Sequence, residues 1–178
     1  MSRVIDVLLG GDSRSLKGVT RVVDDVLHDP PLFGEVVQAM EHADAVVRMR
    51  ASDAAEKISR SCPEYLEPHK NYVLHAAASA EQPSLRWHLA QMLPRLRLDS
   101  AERKQVVAIL KRYLGDASAI VKTSAMQGLA EIAMSDPSLR RSIVPLIRKA
   151  TETGTAAMRA RGTHLLEALE QRERGRAP

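Results

Sequence analysis

Aromatic residues are scarce in this chain of 178 residues: Phe33, Tyr65, Tyr72, Trp87 and Tyr113 are all of them. β-Sandwiches and barrels lean on aromatic and β-branched side chains, so the scarcity argues against an all-β fold. Cysteine is scarcer still. Cys62 stands alone, which excludes an intramolecular disulfide and any cysteine-based four-ligand zinc site. Its setting, Ser61-Cys62-Pro63, reads as a small residue at a helix end rather than an activated thiol. Long apolar runs are missing too, because charges break each of them before the ~20 residues of a membrane span. The N-terminal stretch Val4-Ile5-Asp6-Val7-Leu8-Leu9 is short and carries Asp6, unlike a secretory leader. These absences lead to the expectation of a soluble, cytoplasmic protein.

Signatures of chemistry are also lacking. His28, His42, His69, His75, His88 and His164 are scattered, with no HExxH or other close ligand spacing. No metal and no cofactor is therefore expected. Gly10-Gly11-Asp12-Ser13-Arg14-Ser15 is glycine-rich, but it has neither the lysine spacing nor the preceding strand of a phosphate-binding loop. It reads as a turn with an N-cap. No Ser-His-Asp order with a nucleophile elbow occurs. The chain is expected to be non-catalytic, with no catalytic residues.

The residues that are abundant can build a core: 44% are hydrophobic and 27% charged, with a net charge of +4. The charge is uneven. Residues 139–178 hold nine Lys/Arg and four Asp/Glu, whereas residues 1–138 hold 17 basic and 18 acidic side chains.

Internal repetition is the main signal. Segments beginning at Val47-Arg48, Leu85-Arg86, Val121-Lys122 and Met158-Arg159 align without gaps, and their basic anchors are separated by 38, 36 and 37 residues. One residue before the anchor stand Val47, Leu85, Val121 and Met158. Three after stand Ala51, Leu89, Ala125 and Gly162, and six after stand Ala54, Met92, Gly128 and Leu165. Seven after stand Ala55, Leu93, Leu129 and Leu166, and ten after stand Ile58, Leu96, Ile132 and Leu169. These intervals trace one face of an α-helix. Small residues in two of the columns permit close helix approach.

A preceding helix is marked by Val36, Leu74, Leu110 and Ile147, each twelve residues before the anchor. Turn signals separate the two helices at His42-Ala43-Asp44, Glu81-Gln82-Pro83, Gly115-Asp116 and Thr153-Gly154-Thr155. Each unit is a helical hairpin that cannot bury its apolar face alone, so stacking into a solenoid is expected. Residues 1–29 form an N-terminal cap whose main helix runs from Asp12 to Leu27, with Asp12 or Ser13 as N-cap. Repeats follow at 30–62, 63–98, 99–134 and 135–174, with a tail at 175–178, all within one domain spanning 1–178. Pro94 sits inside a second helix and should bend or shorten it.

The run Leu32-Phe33, Val36-Val37, Met40, Asp44, Val47-Arg48, Ala51, Ala54 and Ile58 resembles a HEAT repeat, as does the proline of Ile143-Val144-Pro145-Leu146-Ile147 in a first helix. The resemblance covers residues 31–170. It implies an all-α, right-handed α-α superhelix of about four hairpins plus the N-terminal helical cap, with the second helices lining a concave face. It also implies that a turn Asp pairs with the anchor, Asp44 and Asp116 being available for Arg48 and Lys122. A phosphate-binding ladder of anchors is the other reading of that column.

Two further columns are polar throughout. Two residues after the anchor stand Arg50, His88, Ser124 and Arg161, and five after stand Asp53, Gln91, Gln127 and His164. They are expected to face solvent on the concave side, with Trp87 beside them as a filler between helices or a partner anchor. The expected function is a non-catalytic interaction scaffold that binds a protein or peptide along these residues. Nucleic-acid binding through a basic groove is the alternative, suggested by the basic C-terminal quarter. Some DNA glycosylases for alkylated bases use HEAT-like arrays, and Arg50, Asp53 and Trp87 could mimic such an active-site corner. The chain has a single Trp and no aromatic-rich groove.

Overall fold

A computed structural model describes residues 2–12 and 15–174. Among the described residues there are ten α-helices and no strand. They are α1 (Arg3–Leu8), α2 (Val19–His28), α3 (Phe33–Ala39), α4 (Ala45–Ser61) and α5 (Lys70–Ser79). The remainder are α6 (Pro83–Met92), α7 (Ser100–Tyr113), α8 (Ala119–Ser135), α9 (Arg140–Thr153) and α10 (Ala156–Arg174). Short 3₁₀ segments occupy Pro30–Leu32, Pro63–His69, Leu93–Arg95 and Pro137–Leu139. Each has a proline in its first two positions, where the ring presets φ and the missing N–H leaves no bond unmade. No described helix is long and apolar enough to cross a membrane.

The expected helix pairs are present as α3/α4, α5/α6, α7/α8 and α9/α10. Every apolar column position is buried except Leu166, which is half-buried. The helical periodicity of the columns is thus the packing face of each hairpin. The small-residue positions work as anticipated at Gly162, where an added Cβ would collide with Thr151 of α9.

The chain divides into two compact units, Met1–Arg97 and Leu98–Pro178. In the first, α4 is central and packs against α1, α2, α3 and α6. In the second, α8 packs against α7, α9 and α10, and α9 and α10 pack against each other. Caps fix where the helices begin. Asp44 accepts from Val46 N–H at 2.7 Å, and Asp99 forms a capping box with Glu102 at the start of α7.

Three expectations change. The N-terminal segment is not one helix over 12–27: α1 covers 3–8, a loop follows, and α2 begins only at Val19. Gly18 explains the late start. It has φ of +80°, and a Cβ there would run into the carbonyl of Val7. Of the two N-cap candidates, Asp12 lies in the loop and Ser13 lies outside the described residues, as does the tail at 175–178.

The anchor Arg48 does not pair with Asp44. Its Nη1 donates to the carbonyls of His42 and Ala43 at 2.7 and 2.8 Å, and its Nε donates to Gln82 Oε1 at 3.0 Å. Arg86 donates to the Ala80 carbonyl and Arg159 to that of Gly154. Three of the four anchors, Arg48, Arg86 and Arg159, therefore close the turn of their own hairpin by binding its carbonyls, whereas Lys122 pairs with no carboxylate among the described residues. Asp44 uses its carboxylate as a helix cap instead. Pro94 acts as expected: α6 stops at Met92, and the chain continues through a 3₁₀ turn.

Candidate functional site

The polar columns separate according to unit. In the first unit Arg50, Asp53 and His88 are buried and Gln91 is half-buried, so the expectation that the columns face solvent fails at the first three. Arg50 is 0% exposed. Its guanidinium donates to the carbonyls of Leu8, Gly10, Asp12 and Ser15 at 2.6–2.9 Å. The cap segment wraps over this side chain, which holds the loop between α1 and α2 against α4.

Asp53 and His88 meet where α4 packs on α6. His88 Nε2 lies 3.3 Å from Asp53 Oδ1, and Asp53 Oδ2 takes an ion pair from Lys57 at 2.6 Å. Ser52 donates its hydroxyl to the Met49 carbonyl at 2.8 Å, and its Oγ lies 2.8 Å from His88 Nδ1. Burial pushes the Asp53 carboxyl up, but His88 and Lys57 more than reverse this and leave it below the ordinary aspartate value. Ser52, His88 and Asp53 contain the elements of a hydrolytic triad, yet Ser52 is fully buried and its proton is engaged. They hold α4 to α6.

One turn further along α4, Glu56 accepts from Arg95 at 2.6 Å and from Arg60 at 2.7 Å, while Arg95 also donates to Ser59 Oγ. Burial raises the Glu56 carboxyl, and the two guanidinium groups outweigh it and lower it. Sequence reasoning missed this pair. The signal was legible in retrospect, because Glu56 and Ser59 stand on the packed side of α4 where apolar residues would otherwise be found.

Trp87 is half-buried, with its ring centroid 3.7 Å from that of His88. Gln91 is half-buried and donates to the Trp87 carbonyl. Arg50 points to the cap loop and Asp53 to His88 and Lys57, so the corner proposed for Arg50, Asp53 and Trp87 does not assemble as an open site.

In the second unit the columns grade from buried to exposed. Ser124 is buried. Gln127 is half-buried and donates to Glu131, whereas Arg161 and His164 on α10 are exposed.

This unit has a groove between α9 and α10 with a volume of about 820 Å³. From α9 come Arg140, Arg141, Val144, Pro145 and Arg148, residues spaced to share one face of a helix. From α10 come Leu166, Leu169, Glu170 and Glu173, and Pro137 closes one end. Leu166, the one column position left half-buried, forms part of this lining. The floor is apolar, the α9 wall is basic and the α10 wall is acidic.

The two walls do not neutralise each other. Glu170 forms an ion pair with Arg174 of its own helix at 3.7 Å, and among the described residues Arg141 and Arg148 have no ion pair. Arg140 donates through Nε to the Ala133 carbonyl, while its buried Nη2 has no protein partner. Sequence reasoning found the basic charge of this quarter but not the groove, since only the packing of α9 on α10 brings its walls together. No family model matches the chain, and no curated protein matches it.

Proposed function

We propose that the four hairpins stack as a HEAT-like, right-handed superhelix capped by α1 and α2, and that the protein is a non-catalytic interaction module. It binds a protein or peptide partner. The binding surface is the α9–α10 groove rather than the polar columns first considered. The observation that carries this reading is the groove itself, an apolar floor with charged walls where Leu166 departs from an otherwise buried face. Single exposed apolar residues are ordinary, but a concave apolar strip with charged rims is the anatomy of a recognition surface.

The test is affinity capture with the wild-type chain and a Val144→Asp variant, with and without nuclease. The expected result is a nuclease-resistant protein that is retained by the wild type and lost by the variant, whose helical circular dichroism remains unchanged. An identical set of proteins on both baits, or only nuclease-sensitive material, overturns the reading.

A further inference from the structure

Resting on that reading, the geometry points to one occupant of the groove. It is an amphipathic helix of a partner protein, with a row of carboxylates on one flank of its apolar stripe and a row of basic side chains on the other.

Three features of the groove define these requirements. Its floor is formed by Val144 of α9 and by Leu166 and Leu169 of α10, which suits an apolar stripe laid between two helices. Its length fits a helix. Arg140 to Arg148 spans eight residues of α9, about 12 Å at the helical rise, so roughly two turns of a docked helix are covered. Its walls carry opposite charge. Arg141 and Arg148 are both exposed and stand seven residues apart on one face of α9, matching carboxylates two turns apart on the ligand. Arg140 Nη2 is an unmatched donor on that same side. Opposite them, Glu170 and Glu173 favour basic side chains.

The charge polarity also determines orientation and exclusion. A helix with carboxylates on both flanks meets repulsion at α10, and one with basic residues on both flanks meets it at α9. A nucleic-acid backbone meets the same acidic wall and has no apolar stripe for the floor. The arrangement is the counterpart of the flanking charges that select partners in coiled coils.

Stabilised helical peptides of about four turns, long enough to hold their helix, supply the probe. The matched peptide has a leucine stripe with glutamates on one flank and lysines on the other. Its counterparts keep the length and stripe but carry glutamates on both flanks in one version and lysines on both in the other. Fluorescence anisotropy is measured on the full chain and on Arg141→Glu/Arg148→Glu, whose substituted residues are exposed and whose melting confirms the fold.

The matched peptide is expected to bind with Kd on the order of 10 µM, as suits a small interface. Both counterparts should bind roughly tenfold more weakly. On the double variant the preference should shift to the all-lysine peptide, since both walls are then acidic. Equal binding of all three peptides, an unchanged preference on the variant, or no peptide binding overturns the proposal. If peptides fail while Val144→Asp still loses its captured protein, only the occupant's chemistry is wrong. If duplex DNA binds instead, with steep salt dependence lost in the double variant, the arginines serve phosphates and the occupant is wrong as well.

Discussion

A buried guanidinium among backbone carbonyls gives Arg50 a role that its residue type conceals. The four carbonyls it binds belong to the end of α1 and to the chain after it. Removing the side chain opens a large void and strands several of these oxygens. Arg50→Ala should therefore destabilise the protein by about 3 kcal/mol or more and open the chain around Gly10 and Ser15 to proteolysis. Denaturant unfolding and limited proteolysis check both effects. A stability loss within about 0.5 kcal/mol would mean that the cap segment does not depend on this contact. Arg50 and Asp53 looked like surface residues because, on an isolated helix, charge reads as exposure. Only the packed neighbours show that the charge is satisfied internally.

At the scale of the helices, a repeated column can hold different environments. Leu129 and Leu166 occupy equivalent positions of α8 and α10, yet Leu129 is fully buried and Leu166 lines the groove. Leu129→Ala should cost ~2–5 kcal/mol, as large-to-small changes in a packed core do. Leu166→Ala should cost less than half as much and should weaken partner capture at the groove. Thermal and denaturant melts of the two variants decide the point, and equal losses would refute the distinction. Periodicity made the helices and their inward faces legible, and Pro94 correctly marked the early end of α6. The break before α2 was not legible, because it depends on Gly18 meeting the Val7 carbonyl, a contact between segments apart in the chain.

Across the molecule, ionisable groups within the packed structure tie stability to pH. Asp53 and Glu56 have carboxyl values held below their ordinary 3.8 and 4.5, because His88 and Lys57 overcome burial at Asp53 and Arg95 and Arg60 do so at Glu56. A carboxyl lowered in the folded state stabilises it above the unfolded value, and that contribution disappears as pH falls through the lowered folded value. Stability should thus be insensitive to these two groups near neutrality and fall as the solution is acidified below about pH 4. Denaturant unfolding at a series of pH values checks this, and Asp53→Asn/Glu56→Gln should flatten the acid limb while lowering stability at neutral pH. An acid limb of unchanged steepness in that variant would place the sensitivity elsewhere. The sequence by itself determined the helical hairpins, their period near 37 residues and their apolar faces, since these follow from local periodicity and turn chemistry. Tertiary structure alone decided which polar side chains are enclosed, and that α9 and α10 leave an apolar channel between walls of opposite charge. Burial and concavity depend on which surfaces meet, and a one-dimensional pattern encodes the faces of each helix but not their neighbours.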